Sequence, residues 1–373
     1  MQGEPVVRLP KRRFDDLLAH LWQLGYRVVG PVVRDGAVMF DEVRRASDLP
    51  AGLRDEQHAG RYRLVEGEPN ELFGVVNGPD SLKRWVFAPE EPLIEVKRER
   101  RGFAVREIVP EGPPVAVVGV RACDLAALAV QDRVFLHDRF HDTHYAVRRQ
   151  NLLLVAVNCT RSVSTCFCTS MGTGPAATRG FDLALTELDD ALTVEIGSDA
   201  GKAIIEAVRA DPASDEDLAD ARARVDACAA SITRRLDTGD LPRLLYDELE
   251  SPQWDDVASR CLSCTNCTMV CPTCFCHSVA DVPSLAGDSS VRLRAWDSCF
   301  SLEHAHIHGI NFRARVRERY RMWLTHKLAS WIDQFGTSGC VGCGRCIAWC
   351  PAAIDLTEEV AAIRGHARAR TEK

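Results

Sequence analysis

Cys261-Leu262-Ser263-Cys264-Thr265-Asn266-Cys267-Thr268-Met269-Val270-Cys271-Pro272 is the stretch that organises this chain, and Cys340-Val341-Gly342-Cys343-Gly344-Arg345-Cys346-Ile347-Ala348-Trp349-Cys350-Pro351 repeats its spacing. Both read C-x2-C-x2-C-x3-C-P. Thiolates suit the tetrahedral irons of a cubane. Three cysteines spaced by two residues can wrap one cluster within a single loop. The fourth is carried away as the chain enters a helix. The repeated run therefore predicts two [4Fe-4S] clusters. Zinc ribbons use separated C-x2-C pairs, not four-cysteine runs closed by proline.

In two-cluster ferredoxins the fourth cysteine of each run serves the other cluster. Cluster one is accordingly assigned to Cys261, Cys264, Cys267 and Cys350, and cluster two to Cys340, Cys343, Cys346 and Cys271. The insert between the runs is longer than a compact β-type ferredoxin carries, and a long helix is expected in it over residues 313–335. Residues 256–373 thus read as an α-helical dicluster ferredoxin domain. Arg313, Arg317 and Arg321 share one face of that helix. They would offset cluster charge, meet an acidic partner, or simply face solvent.

Upstream, residues 199–255 read as a polar helical linker broken at Asp211-Pro212 and Asp240-Leu241-Pro242. Its Cys228 is expected to be a packing residue. Residues 111–198 form a second α/β unit. Residues 115–120 and 152–157 are apolar runs of the kind buried on both faces of a sheet. A helix over residues 125–134 lies between them, so a parallel βαβ arrangement is expected. Residues 1–110 read as a first α/β unit. Phe14, Leu17, Leu18, Leu21 and Leu24 recur at helical spacing. Residues 28–33 and 37–40 follow as strands about an Arg34-Asp35-Gly36 turn. Residues 41–65 show no strong periodicity, and residues 81–87 fit a short helix or a strand. The fold class is an α/β N-terminal region with a mixed or parallel sheet, joined to the helical dicluster domain.

Ligands in open α/β sheets sit beyond the carboxyl ends of the strands. Cys123 and Cys159 fall just there, and Cys166 and Cys168 follow closely. The Ser170-Met171-Gly172-Thr173-Gly174-Pro175 loop offers bare backbone to a cofactor. A third [4Fe-4S] cluster on Cys123, Cys159, Cys166 and Cys168 is the first reading. Reduced thiols in a buried loop and a zinc site are the alternatives. Thr-Cys-Phe-Cys recurs at Thr273 to Cys276, leaving Cys274, Cys276 and Cys299 beyond the needs of the two runs. They are expected to shield cluster one, the alternative being ligation of something else with His277. His304, His306 and His308 alternate as a metal site on a strand would, and are expected to be polar surface or locally hydrogen-bonded.

The chain has 373 residues, sixteen cysteines and a formal net charge of −7. That charge argues against general nucleic-acid binding, which needs a basic face. No stretch has the roughly 20 apolar residues of a bilayer span. Residues 1–13 hold charges and no apolar core of a secretory signal. A cytoplasmic location is expected, and clustered cysteines there point to metal ligation rather than disulfides. No G-x-G-x-x-G follows a strand, no phosphate-binding G-x-x-x-x-G-K-[ST] is present, and no Ser/His/Asp constellation stands out. The chain is expected to be non-catalytic alone, within an oxidoreductase complex.

Several marks run the length of the chain: Gly60-Arg61-Tyr62-Arg63-Leu64, Gly119-Val120-Arg121-Ala122-Cys123-Asp124-Leu125, Asp132-Arg133-Val134-Phe135, Cys166-Phe167-Cys168-Thr169-Ser170-Met171-Gly172, Gly180-Phe181-Asp182-Leu183, Trp296-Asp297-Ser298-Cys299-Phe300 and His308-Gly309-Ile310-Asn311-Phe312-Arg313. With the two cysteine runs, they make the chain resemble the iron–sulfur β subunits of cytoplasmic NAD(P)-linked [NiFe] hydrogenases. It is also similar to the A subunit of anaerobic sulfite reductase, in the same family. Ile310 stands where the family usually has a second glycine. The resemblance implies an electron relay in a hetero-oligomer. Its partners would be a flavin- and NAD(P)-binding subunit and the small and large [NiFe] subunits, with no nucleic acid and no membrane. Electron supply to a sirohaem subunit is the alternative. An iron–sulfur redox sensor or scaffold is a third reading, weakened by the lack of a basic helix-turn-helix.

Overall fold

The computed structural model describes residues 6–371. In chain order its strands are β1 (Val7–Pro10), β2 (Arg27–Arg34), β3 (Ala37–Glu42), β4 (Leu53–His58), β5 (Arg61–Glu66), β6 (Glu90–Arg98), β7 (Phe103–Glu107), β8 (Val115–Val120), β9 (Leu152–Val157), β10 (Leu183–Glu187), β11 (Ala191–Ile196), β12 (Asp211–Pro212), β13 (His277–Pro283) and β14 (Ser289–Trp296). Eight of them form one mixed sheet in the order β12-β1-β11-β10-β9-β8-β2-β3. Its centre is parallel: β2 beside β8, β8 beside β9, and β9 beside β10. Val29, Val117 and Leu154 lie in one row across it.

The apolar runs are continuous because both faces are covered. Ala116 and Val118 pack with Leu17, Leu18, Leu21, Ile204 and Ile205 from helices Phe14–Gln23 and Asp199–Val208. Val117 and Val120 point the other way, toward Leu125, Leu128 and Tyr145 of helices Ala122–Phe135 and Thr143–Gln150. The expected βαβ unit is present, and residues 81–87 contain a short helix, Lys83–Val86. The sheet draws strands from both sides of residue 110, so residues 1–110 and 111–198 share one layer.

Two features were not visible in the periodicity. Residues 41–65 hold a hairpin, β4 and β5. Its inward residues are polar, which removed the alternation: Asp55 and Gln57 are buried, with Asp55 held by Arg161 at 2.6 Å and by the Val76 N–H at 2.9 Å. A second sheet, β13-β14-β6-β7, pairs N-terminal strands with a hairpin from inside the insert between the cysteine runs. Glu91 pins it, accepting from Arg294 Nε at 3.0 Å and lying 2.9 Å from His144 Nδ1. Burial alone would raise the Glu91 pKa; hydrogen bonds from Arg294 and Arg148 outweigh it and hold the carboxyl below its ordinary value.

The C-terminal region is helical around Trp254, Val257, Tyr320, Trp323, Leu324, Ile347, Leu356 and Ile363. The helix expected over residues 313–335 runs as Val316–Thr325, a π-helical turn His326–Ser330, and Trp331–Phe335. Arg317 and Arg321 bind Glu250 of this same chain, at 2.9 and 3.0 Å. No helix among the described residues is long and apolar enough to cross a membrane.

Candidate iron–sulfur sites

The two cysteine runs repeat one backbone design. Ser263 and Thr265 of the first have φ of 51° and 69°; Gly342 and Gly344, at the matching places of the second, have 67° and 75°. This left-handed bend turns the backbone N–H groups inward. The Ser263 N–H lies 3.5 Å from Cys261 Sγ, and the Gly342 N–H 3.5 Å from Cys340 Sγ. Such donors favour thiolate and tune a bound cluster. The second run needs glycine for a further reason. A Cβ on Gly342 would sit 2.7 Å from the Cys168 backbone, and one on Gly344 2.3 Å from the Thr165 carbonyl. The first run has no such neighbour, so it tolerates side chains there.

Cys261, Cys264, Cys267, Cys346 and Cys350 line one cavity, walled by Phe300, Tyr320, Trp323, Ile354 and Leu356. Three cysteines of the first run and two of the second thus border a common, mostly apolar space. Cys271 lies instead near Cys340, Cys343 and Cys346, each of which feels its charge. Cys346 borders both groups, and the crossed pairing of Cys271 and Cys350 stays the assignment drawn from the spacing. Burial pushes the Cys340 thiol up to about 12. Cys271 goes the other way, held well below its ordinary value by a hydrogen bond from Cys274 and by the ammonium of Lys327.

Lys327 is carried inward by the π-helical turn. Its Nζ lies 3.3 Å from Cys271 Sγ, 3.1 Å from Thr273 Oγ1 and 3.0 Å from the Gly339 carbonyl. Lys83, equally buried, donates to the carbonyls of Thr268 and Met269 and stacks on Trp296 with its Nζ 3.8 Å from the ring. Among the described residues neither lysine forms an ion pair with a carboxylate. Their nearest charge partners are Cys271, Cys274 and their neighbours. Burial lowers the Lys83 pKa, while the sulfurs hold Lys327 well above the ordinary lysine value; a buried ammonium needs counter-charge, which thiolates bearing iron would supply. The donor set, the apolar cavity and these cations all fit an anionic iron–sulfur group.

Cys123, Cys166 and Cys168 pack in one buried cluster with Cys343. Cys159 is close enough to feel the charge of its neighbours, and its Sγ lies 4.0 Å from Arg121 Nη1. The four upstream cysteines are therefore together, against cluster two. The loop after Cys168 comes as close as its glycines suggested: a Cβ on Gly174 would be 3.2 Å from Cys168 Sγ. Arg345, fully buried, pairs with Asp124 at 2.9 Å and stands beside Cys123 and Cys343. Desolvation pushes Cys168 up to about 12 and Cys123 far above the ordinary range. Bound iron would hold these sulfurs as thiolates. Cys228 is buried, as packing requires, but its sulfur also sits near Cys159 and Cys168, which a lone cysteine in a helix did not announce.

Of the remaining residues, His277 does not join the surplus cysteines: its Nδ1 lies 3.0 Å from the Phe275 carbonyl. His304 does, touching Cys276 while Nδ1 is 2.8 Å from Asp297 Oδ2. The bond to Asp297 is the local hydrogen bonding expected of His304, and Cys276 is the neighbour its spacing did not announce. His306 and His308 are exposed. Among the described residues no three His, Cys, Asp or Glu donors close around a point suited to a single ion.

A 4Fe-4S dicluster domain family matches residues 260–354. This is an iron–sulfur protein of the dicluster class. Over 361 residues, 96% of this chain and 98% of the relative, it is 29% identical to sulfhydrogenase 2 subunit beta of Pyrococcus furiosus. Both findings support a likeness to the hydrogenase β-subunit family. No solved structure matches it.

Proposed function

We propose that this chain is the electron-transfer subunit of an NAD(P)-linked hydrogenase complex, relaying electrons between a flavin- and nucleotide-binding subunit and the small and large subunits of a [NiFe] module. The observation that carries this reading is the unbroken series of cysteine groups. Cys123, Cys159, Cys166 and Cys168 abut Cys343 of the second run; Cys271 lies near Cys267; and the Cys267 group opens at the surface. In this reading cluster one is held by Cys261, Cys264, Cys267 and Cys350, cluster two by Cys340, Cys343, Cys346 and Cys271, and a third by Cys123, Cys159, Cys166 and Cys168. When bound, such clusters supply reversible one-electron transfer.

The chain's own residues set the conditions. Gly342 and Gly344 let the second run press against the Cys166–Cys168 loop, shortening the path between them. The Ser263 and Gly342 N–H groups and the Lys327 ammonium stabilise sulfur-borne negative charge. Tyr320, Trp323 and Phe300 exclude water from cluster one. Cys264 is exposed, and Leu262 beside it is 68% exposed. This apolar rim is where a partner's redox centre would approach. Purification of the intact complex tests the assignment. Copurifying nickel with H2-dependent dye reduction is expected. Sirohaem absorbance in its place would move the chain to the sulfite-reductase branch.

A further inference from the structure

Cys276 and Cys299 belong to neither cysteine run and lie apart from the Cys123 group. They are brought together by the register of β13 and β14. His277 pairs with Trp296, and the Asp297 N–H donates to the Cys276 carbonyl at 2.9 Å. This sets Cys276 at the mouth of the hairpin, with Cys299 two residues beyond Asp297. Cys276 and Cys299 pack in one cluster, and the Cys299 thiol and the His304 ring are the polar groups that act most strongly on the Cys276 thiol. His304 is fixed from behind by Asp297 at 2.8 Å. Asp297 is fixed in turn by the Ser298 N–H at 2.7 Å. Cys276 is only partly buried, whereas Cys299 is buried.

A thiol, an imidazole beside it and a carboxylate orienting that imidazole are the parts of an activated cysteine. A second thiol in contact supplies the resolving partner. We propose that Cys276 and Cys299 are a redox-active dithiol that exchanges with small-molecule disulfides, Cys276 attacking and Cys299 resolving. The Cys276 thiolate attacks one sulfur of RSSR, forming a mixed disulfide and releasing RS⁻. Cys299 then gives up its proton, attacks Cys276 Sγ and releases the second RS⁻. The protein is oxidised by two electrons and the disulfide is reduced to two thiols. Reopening the Cys276–Cys299 bond takes two electrons and two protons, which a reduced dithiol supplies by the reverse exchange. Cys299 also lies near Cys267 and Cys274, so one-electron carriers of the iron–sulfur class are placed to supply the same two electrons singly.

The electrostatics agree. The hydrogen bond from Cys299, with help from His304, lowers Cys276 to about 4, and the bond to Cys276 raises His304 to about 9. An ordinary thiol is only a few per cent thiolate at pH 7, while a paired one is fully ionised but intrinsically less nucleophilic. At pH 7 the roughly 30-fold gain in thiolate is offset by a similar fall in intrinsic nucleophilicity, so the pairing leaves the rate about level there and keeps the thiolate available at lower pH.

The test uses the anaerobic, full-length iron-loaded chain. It is exposed to oxidised glutathione, quenched by alkylation and digested for mass spectrometry, with iron measured on the same sample. A Cys276–Cys299 cross-link with unchanged iron is expected. Cys299→Ser should trap glutathione on Cys276 without losing iron, and His304→Gln should move the pH at which capture sets in upward, so that capture at acidic pH is lost. Two results would overturn the proposal. One is iron loss of about four atoms in Cys276→Ser or Cys299→Ser, which would make these residues cluster ligands. The other is Cys276 staying fully alkylatable after oxidised glutathione.

Discussion

Replacing Lys327 with methionine removes a buried positive charge from beside Cys271 while keeping much of the side-chain volume. The Nζ stands 3.3 Å from Cys271 Sγ. Desolvation would discharge it, but the nearby Cys271 and Cys274 sulfurs outweigh burial and hold its pKa well above the ordinary lysine value. The charge an electron adds to a cluster spreads over iron and sulfide, so roughly 6 Å is a fair separation from the ammonium. At an effective dielectric of about 20 the interaction is roughly 3 kcal/mol. For a one-electron couple that is on the order of 100 mV. A cation favours the more negative, reduced form. Lys327→Met should therefore lower the potential of cluster two by about this amount, read by EPR-monitored redox titration. Lys327→Arg should restore most of it. The Gly339 carbonyl keeps its bond from Thr273 at 2.6 Å, so the loop has a remaining anchor. An unchanged or raised potential in Lys327→Met, with iron content intact, would refute the reasoning.

Further outcomes follow from the same geometry. Cys264→Ala removes the exposed ligand of cluster one; it should cost about four irons of the chain's total and most electron flow to a partner, as iron analysis and dye reduction would show. Cys123→Ala should cost a similar amount of iron if the upstream cysteines hold a third cluster, and none if they are structural thiols. Glu91 is held below its ordinary carboxylate pKa, so its contribution to stability is present above an unfolded pKa of about 4.3 and lost as pH falls through the lower folded value. Glu91→Gln should flatten that acid-side loss in thermal unfolding. By removing the carboxylate shared by Arg294 and Arg148, of which Arg294 keeps Asp142, it should also destabilise the chain by about 3 kcal/mol near neutral pH.

Local chemistry was legible in the chain and non-local pairing was not. The two cysteine runs declare themselves because three of a cubane's four ligands come from one tight loop, so the spacing is the signal. Residues 115–120 and 152–157 read as central strands because burial on both faces demands unbroken apolar runs. The β4–β5 hairpin escaped because its inward residues, Asp55 and Gln57, are polar and satisfied by Arg161 and Asn77 from distant segments. The β13–β14 hairpin escaped because Val279 and Val282 are exposed, leaving no apolar stripe to read. Lys83 and Lys327 look like ordinary surface lysines until the fold buries them among sulfurs. His304 had a readable hint in Asp297, seven residues away, but only the register of β13 and β14 brings Cys276 to it. Gly342 and Gly344 were also readable. They replace the Ser263 and Thr265 of the first run, and that asymmetry marks the side on which the second run is pressed against the upstream cysteines.

Iron and acid-labile sulfide per chain, measured on anaerobically purified protein freed of its partners, test the relay most directly. The account predicts about twelve of each, four for every cluster, with the α/β half carrying its own station. About eight would contradict it, confining the clusters to the two C-terminal runs and leaving Cys123, Cys159, Cys166 and Cys168 outside the electron path.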